Sequence, residues 1–318
     1  MTAPLSLPAT VHGFDRVRHV TDLHLALGIF DGLHLGHRAV INSAIHAAHG
    51  CGGVSGVMTF FPHPTRLFTP ENPTLLIQPP RQKSHMLRAL GVDLTIWKKF
   101  TREFAAIPAE DFIGVLTQAM PGLRALHIGE NFRFGKGRKG DVSLLVKSAR
   151  SHGVSVCSVE RLKYNGVAIS SSRIRQLLID GDIASVNELL GYRYFCTGLV
   201  QPGQQLARQL GFPTLNLKWE PELKPRYGVY AVNVFEVGTS NPAVAGVANY
   251  GVRPTVAQDS PPVLEVHLFD TPRWSVGSRL HVEWLTFIRP EMRFDGIVAL
   301  KAQIAKDCDA AISFFHRG

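Results

Sequence analysis

Two histidines stand three residues apart in "GIFDGLHLGH" (28–37), where an apolar run breaks into an Asp-Gly turn. Placed there, His34 and His37 could donate hydrogen bonds to phosphate oxygens as negative charge builds in a transition state. Gly32 and Gly36 permit a tight turn and close approach of backbone to a ligand. By itself, His-x-x-His serves equally well as a surface pair or a metal pair. Two later stretches add phosphate chemistry. "GENFRFGKGRKGD" (129–141) is a Gly/Arg/Lys loop able to hold a nucleotide through backbone amides and Arg138; the plainer reading is an exposed basic loop. "ISSSRIRQLL" (169–178) sets Ser170, Ser171 and Ser172 before a helix bearing Arg173 and Arg175. One serine suffices as a cap; three with an arginine suit a polyphosphate.

The second half offers oxygen ligands. In "LGFPTLNL" (210–217) Thr214 and Asn216 lie two apart, on one face of an extended chain, and could offer oxygens to Mg²⁺ and a nucleotide phosphate. Alone, the segment reads more simply as a strand-edge turn. In "LEVHLF" Leu264, Val266 and Leu268 share one face, and Glu265, His267 and Phe269 the other. A strand glutamate is usually solvated.

These groups need elements to hold them. "LHLALGIF" reads as a buried strand and "HRAVINSAIHAAHG" as a helix closed by Gly50. "GVSGVMTFF", "VDLTIWKKF" and "RALHIG" read as strands alternating with the helices "QKSHMLRALG" and "AEDFIGVLTQAM". Such alternation builds a Rossmann-like α/β domain on a parallel sheet, with ligands beyond the carboxyl ends of its strands. After about residue 190 the period changes: "GVYAVNVFEV", "PVLEVHLFD" and "RLHVEWLTF" alternate as half-buried antiparallel strands, predicting a small β-barrel or sandwich. A C-terminal helix follows, with Ile297, Leu300, Ile304, Cys308, Ala311 and Phe315 on one face. The expected domains are 1–186 and 187–318.

Composition narrows the function classes. Hydrophobic content of 45% over 318 residues describes a globular chain long enough for two domains. No apolar run approaches the roughly 18 residues of a membrane span, and the N-terminal residues lack a signal-peptide pattern. Four scattered cysteines without a C-x-x-C pair point to a reducing cytoplasm. A net charge of +9 suits anionic ligands. Without a Lys/Arg tract, small phosphorylated molecules are expected rather than nucleic acid, and no membrane. Self-association is expected to be at most a weak homo-oligomer.

Taken in order, "GIFDGLHLGH", "FFPHP", "GENFRFG" and "ISSSRIR" resemble the adenylyltransferase half of the bacterial bifunctional riboflavin kinase/FMN adenylyltransferases, the prokaryotic FAD synthetases. The first resembles the nucleotidylyltransferase H-x-G-H signature and the last its I-S-S-T-x-I-R partner. "LGFPTLNL", "LEVHLF", "GVANYGVRPT" and "FIRPEMRFDGIVALKAQIAKD" resemble the riboflavin kinase half, so the likeness spans roughly 22–315.

The resemblance implies a nucleotidylyltransferase domain followed by a six-stranded kinase barrel. It implies phosphorylation of riboflavin to FMN, then adenylylation of FMN to FAD, with ATP as co-substrate in both steps and Mg²⁺ at Thr214 and Asn216. His34, His37, Arg175 and Glu265 would be catalytic, Glu265 as general base. Gly28, Phe30, Asp31, Gly32, Asn131, Arg138, Ser170, Ser171 and Ser172 would bind nucleotide in the first half. Arg208, Gly211, Thr214, Asn216, Asn249, Arg253 and Arg289 would bind substrates in the second. The chain departs from the family pattern at Ala207, where a glycine is usual, at Leu215 for alanine, and at Ser172 for threonine. An FMN adenylyltransferase with an impaired kinase half is one alternative. A nucleotidylyltransferase for another phosphorylated acceptor is a second, but it would leave the barrel motifs without a role.

Overall fold

The computed structural model describes residues 6–203, 210–252, 262–270 and 274–317. Contacts divide the chain into two compact units between Ser171 and Ser172. That division comes earlier than the 186/187 boundary read from the sequence.

In the first unit the strands are β1 (Ala9–His12), β2 (Leu23–Leu27), β3 (Val54–Phe60), β4 (Leu94–Lys98), β5 (Leu123–Gly129) and β6 (Ser155–Val159). They form one sheet in the order β1-β4-β3-β2-β5-β6, and every pairing is parallel. Strand β2 explains the run "LHLAL": Leu23, Leu25 and Leu27 bury into one core and Ala26 into another, because helices cover both faces. Helix α1 (Leu35–Gly50) turns Val40, Ile41, Ala44 and Ile45 onto the Ala26 side. The other side is filled by Phe112, Ile113 and Leu116 of the helix Phe112–Ala119. A short hairpin follows β6, pairing β7 (Lys163–Tyr164) with β8 (Val167–Ala168). Strand β1 was not read from the sequence; it is four residues long and joins the edge beside β4.

The second unit is the expected barrel. Strands β9 (Phe195–Gln201), β10 (Thr214–Lys218), β11 (Gly228–Glu236), β12 (Val244–Gly251), β13 (Val263–Leu268) and β14 (Arg279–Pro290) close in the order β10-β13-β12-β11-β14-β9. All pairings are antiparallel. Its interior is aromatic: Tyr194, Tyr230, Tyr250 and Trp284 are fully buried, with the Tyr230 and Trp284 rings 4.5 Å apart. The helix Ile183–Leu190 is tied to the barrel by Asn187. Its amide donates to the Trp284 carbonyl (2.9 Å), and its oxygen accepts from the Tyr194 N–H (2.6 Å). The closing helix, Ile297–Arg317, buries Asp307, Cys308 and Ala311 against the outer barrel face, while Ile297 at its start is 57% exposed.

Candidate active sites

Strand β2 ends at Leu27, and the next seven residues carry the chain over the sheet edge into α1. Three of them are left-handed: Phe30 (φ 50°), Gly32 (φ 83°) and Leu33 (φ 40°). For Phe30 and Leu33 this costs roughly 1–2 kcal/mol each, so the turn persists only because neighbours hold it. The Ile29 carbonyl accepts from Thr59 Oγ1 and from Lys83 Nζ, both at 2.8 Å. The Asp31 carboxylate accepts the Ile77 N–H at 3.1 and 3.2 Å, and the Asp31 carbonyl accepts Ser171 Oγ–H at 2.9 Å. Gly28 matters for space: a Cβ there would lie 2.9 Å from the Phe30 ring.

The turn delivers His34 as the N-cap of α1, its Nδ1 accepting the His37 N–H at 3.2 Å. An Nδ1 that accepts carries no proton, which places the ring proton on Nε2 as a donor for a ligand. The His34 and His37 rings stack at 3.6 Å and 17°, and Phe30 meets His37 edge-on at 5.4 Å.

A cavity of about 220 Å³ opens over this pair. Gly28, Phe30, His34, Gly36, His37, Asn131, Ser170 and Ser171 line it, with Leu27, Gly129 and Val159 at the carboxyl ends of β2, β5 and β6. Imidazole, amide and hydroxyl donors therefore converge at a helix N-terminus, whose free N–H groups favour an anion. The position is the one the parallel sheet dictates.

On the barrel, pairing register sets Asn216 beside Glu265, Glu265 beside Asn249, Asn249 beside Val229 and Val229 beside Arg289. Residues paired in this way share a face. Leu264, Val266 and Tyr250 point inward, so the row runs along the outside. It ends in an ion pair: Arg289 donates through Nε and Nη2 to the Asp307 carboxylate at 2.7 and 2.6 Å, and Gln303 adds a third bond at 2.9 Å. Thr214 lies beside His267, whose Nδ1 donates to the Pro213 carbonyl at 2.9 Å. Asn216 is buried, and a Cβ on Gly203 would come within 2.1 Å of its amide. Gly211 has φ 93°, a conformation that favours glycine, just before the Phe212-Pro213-Thr214 approach to β10.

The FAD synthetase family model matches residues 17–173, and the riboflavin kinase family model matches 190–315. A bifunctional riboflavin kinase/FMN adenylyltransferase of Escherichia coli (strain K12) is 38% identical over 291 residues, 92% of each chain. The chain belongs to this bifunctional family. A Bacillus subtilis (strain 168) member is 36% identical over 296 residues, again 92% of each. A solved structure described as a macrolide-efflux protein from Streptococcus pneumoniae shares 27% identity and a TM-score of 0.82, covering 94% of this chain and 97% of that one. No helix among the described residues is long and apolar enough to cross a membrane.

Within this bifunctional frame, seven residues expected in the adenylyltransferase half line the cavity: Gly28, Phe30, His34, His37, Asn131, Ser170 and Ser171. Asp31 and Gly32 are buried in the turn itself. Arg138 is exposed, left-handed (φ 59°) and absent from the lining. Ser172 and Arg175 sit on the helix Ser171–Asp180, with Arg175 one turn beyond Ser171. Of the kinase-half residues, Glu265, Asn216 and Asn249 are neighbours; Arg289 reaches the same row but is engaged by Asp307. Arg208 and Arg253, and the Ala207 departure, lie outside the described residues. Glu160, Arg161 and Phe132 also line the cavity and were not anticipated. The sheet-edge rule that located His34 would have found the first two, since they follow β6 directly.

Under α1 lies a second polar cluster that the cavity does not use. His127 Nδ1 and Ser43 Oγ are 2.8 Å apart, Ser43 Oγ and Cys157 Sγ 3.3 Å. Burial, reinforced by His24, pushes His127 down to about 4, so the ring is neutral at ordinary pH.

Proposed function

We propose that the two halves of this bifunctional enzyme divide flavin-cofactor synthesis, with residues 187–318 phosphorylating riboflavin and residues 1–186 adenylylating FMN. In the barrel Glu265 accepts the proton of riboflavin's terminal ribityl hydroxyl as that oxygen attacks the γ-phosphorus of ATP; FMN forms and ADP leaves. Asn216 and Asn249 pair with Glu265 from either side, which supports a role for them in orienting the hydroxyl and the carboxylate. Among the described residues no group of three His, Cys, Asp or Glu could cage a metal ion. Thr214 and Asn216 offer neutral oxygens instead, which fits Mg²⁺ arriving with ATP phosphates and keeping few protein ligands. Those two residues would hold it, and when bound it supplies positive charge to the phosphate oxygens.

At the sheet edge, an FMN phosphate oxygen attacks the α-phosphorus of a second ATP, the α–β bridging bond breaks, and pyrophosphate leaves with FAD formed. The nucleophile is already an anion, so no protein base is required. His34, His37, Ser170, Ser171 and Arg175 position the phosphates and stabilise the charge that develops. The observation that carries the reading is the His34 geometry, because a ring locked with Nδ1 as acceptor presents Nε2–H as a fixed donor at a helix N-terminus. The four cysteines are free, as suits a cytoplasmic enzyme.

Incubation of the full chain with riboflavin, ATP and Mg²⁺, with products separated by chromatography, tests both steps. FMN and FAD are the expected products. FAD formed only from supplied FMN would mean an impaired kinase half, and neither product would return the first half to another phosphorylated acceptor.

A further inference from the structure

We propose that Lys83 is a positioning residue for adenylyl transfer, its buried ammonium holding the strained turn that presents His34 and His37 to the phosphates. The proposal rests on the adenylyl-transfer reading of the cavity. Lys83 lies on the helix Pro80–Ala89, on the same buried stripe as Leu87, and is 2% exposed. Its Nζ donates to the Ile29 carbonyl at 2.8 Å and sits 5.1 Å from the centre of the Trp97 ring. Trp97 is itself fixed by its indole N–H, which donates to Ser84 Oγ at 3.0 Å. Ile29 belongs to the cavity wall, so a single carbonyl separates the ammonium from the space where phosphates would lie.

A buried ammonium is costly, and a methionine would fill the same volume without that cost. The hydrogen bond alone does not account for the lysine, because Thr59 Oγ1 already donates to the Ile29 carbonyl. What lysine adds is charge beneath a loop that must accept a polyanion, next to Phe30 and Leu33 in left-handed conformations.

Burial pushes the Lys83 amine down to about 8, and the Asp31 carboxylate opposes that shift. Asp31, from the turn, is the titratable group acting on it; the Ile29 carbonyl and the Trp97 ring of β4 do not titrate. The charge is therefore lost as pH rises through about 8. The native amine gives up its proton before the unfolded chain does, at about 10.5. Between those values the unfolded state binds more protons, so the Lys83 contribution to stability rises with pH. Loss of activity and gain of stability thus run together over one window, which a purely structural lysine would not produce.

The test uses the full chain and three proteins: the native enzyme, Lys83→Met and Lys83→Arg. For Lys83→Met, kcat for FAD formation from FMN at pH 7 should fall by up to about 10²-fold, with a smaller change in KM for ATP and riboflavin phosphorylation unaltered. The native kcat should decline above pH 8 while thermal stability does not; Lys83→Met should lack that limb, and Lys83→Arg should move it to higher pH and recover part of the rate. A native-like kcat in Lys83→Met, or the same alkaline limb in that variant, would overturn the proposal. If Lys83→Met fails to fold, an alkaline limb unchanged in Lys83→Arg overturns it instead. A native enzyme that adenylylates no FMN would remove the reading of the cavity, and the proposal with it.

Discussion

The sheet unit buries the ionisable side chains of Lys83, Asp31, His34 and His127, and burial lowers the proton affinity of Lys83 to about 8 and of His127 to about 4. The barrel interior buries Tyr194, Tyr230, Tyr250 and Cys196, and burial drives each of these further from ionising, Cys196 to about 12. The contrast follows from architecture. A parallel sheet exposes its chemistry where strands end, so the loops there need polar anchors running back into the fold. A closed barrel has no such end-on edge within its wall. Its core can stay neutral while Asn216, Glu265 and Asn249 stand together on the outer face. The lesson is that one chain can hold two phosphate chemistries whose sensitivities to pH and mutation differ by construction.

The most severe test of that separation is Glu265→Gln. A positioned base is worth about 10²–10⁴-fold, and glutamine keeps the size and an oxygen but cannot take the proton. Riboflavin phosphorylation should fall by that factor while FAD formation from supplied FMN continues at the native rate. Equal loss of both steps in a product assay would break the comparison. The mirror experiment is His37→Ala, which removes one preorganised donor and should lower FAD formation from FMN by about 10²–10³-fold. Its riboflavin kinase rate is the internal control, and near-native adenylylation would leave the histidines only a structural part, as helix cap and stacked pair.

The smallest expected effect is on stability. His127 is neutral when folded, with its proton affinity lowered from the ordinary 6.5 to about 4. Below pH 6.5 the unfolded chain binds the extra proton, so stability should fall as pH drops toward 4. The slope is at most about 1.4 kcal/mol per pH unit, and the loss levels off below pH 4. Melting curves between pH 7 and 4 should show a steeper acid decline in the native enzyme than in His127→Leu. Parallel declines would show that the buried ring contributes nothing to acid sensitivity.

Local periods were legible in the sequence, and long-range pairings were not. Alternation in "LEVHLF" puts Glu265 opposite in direction to Leu264 and Val266, and the barrel bears this out. That Glu265 stands between Asn216 and Asn249 depends on the order β10-β13-β12, with partners dozens of residues away, which no local pattern encodes. Lys83 shows the same limit. Its spacing to Leu87 marks a buried stripe, but a lysine is ordinarily assigned to solvent, and only the Ile29 carbonyl explains its burial. On the last helix, counting apolar residues put Ile297 on the packed face, yet Ile297 is 57% exposed and Asp307 only 4%. The carboxylate is admitted there because Arg289, eighteen residues earlier, meets it with two hydrogen bonds.

Barrel closure also has a consequence in time. The sheet unit has all six strands once β6 has left the ribosome, whereas β9 cannot complete its pairing until β14 is made. From Gln201, the end of β9, to Pro290, the end of β14, lie about 90 residues, on the order of 4–18 s of synthesis at 5–20 residues per second. During that interval the nascent chain carries a finished adenylyltransferase sheet ahead of an open β-ribbon with one edge of β9 unsatisfied, and such an edge can recruit a strand from another chain. Crowded polysomes are therefore where this protein is most exposed to misassembly, and the kinase half is the part at risk.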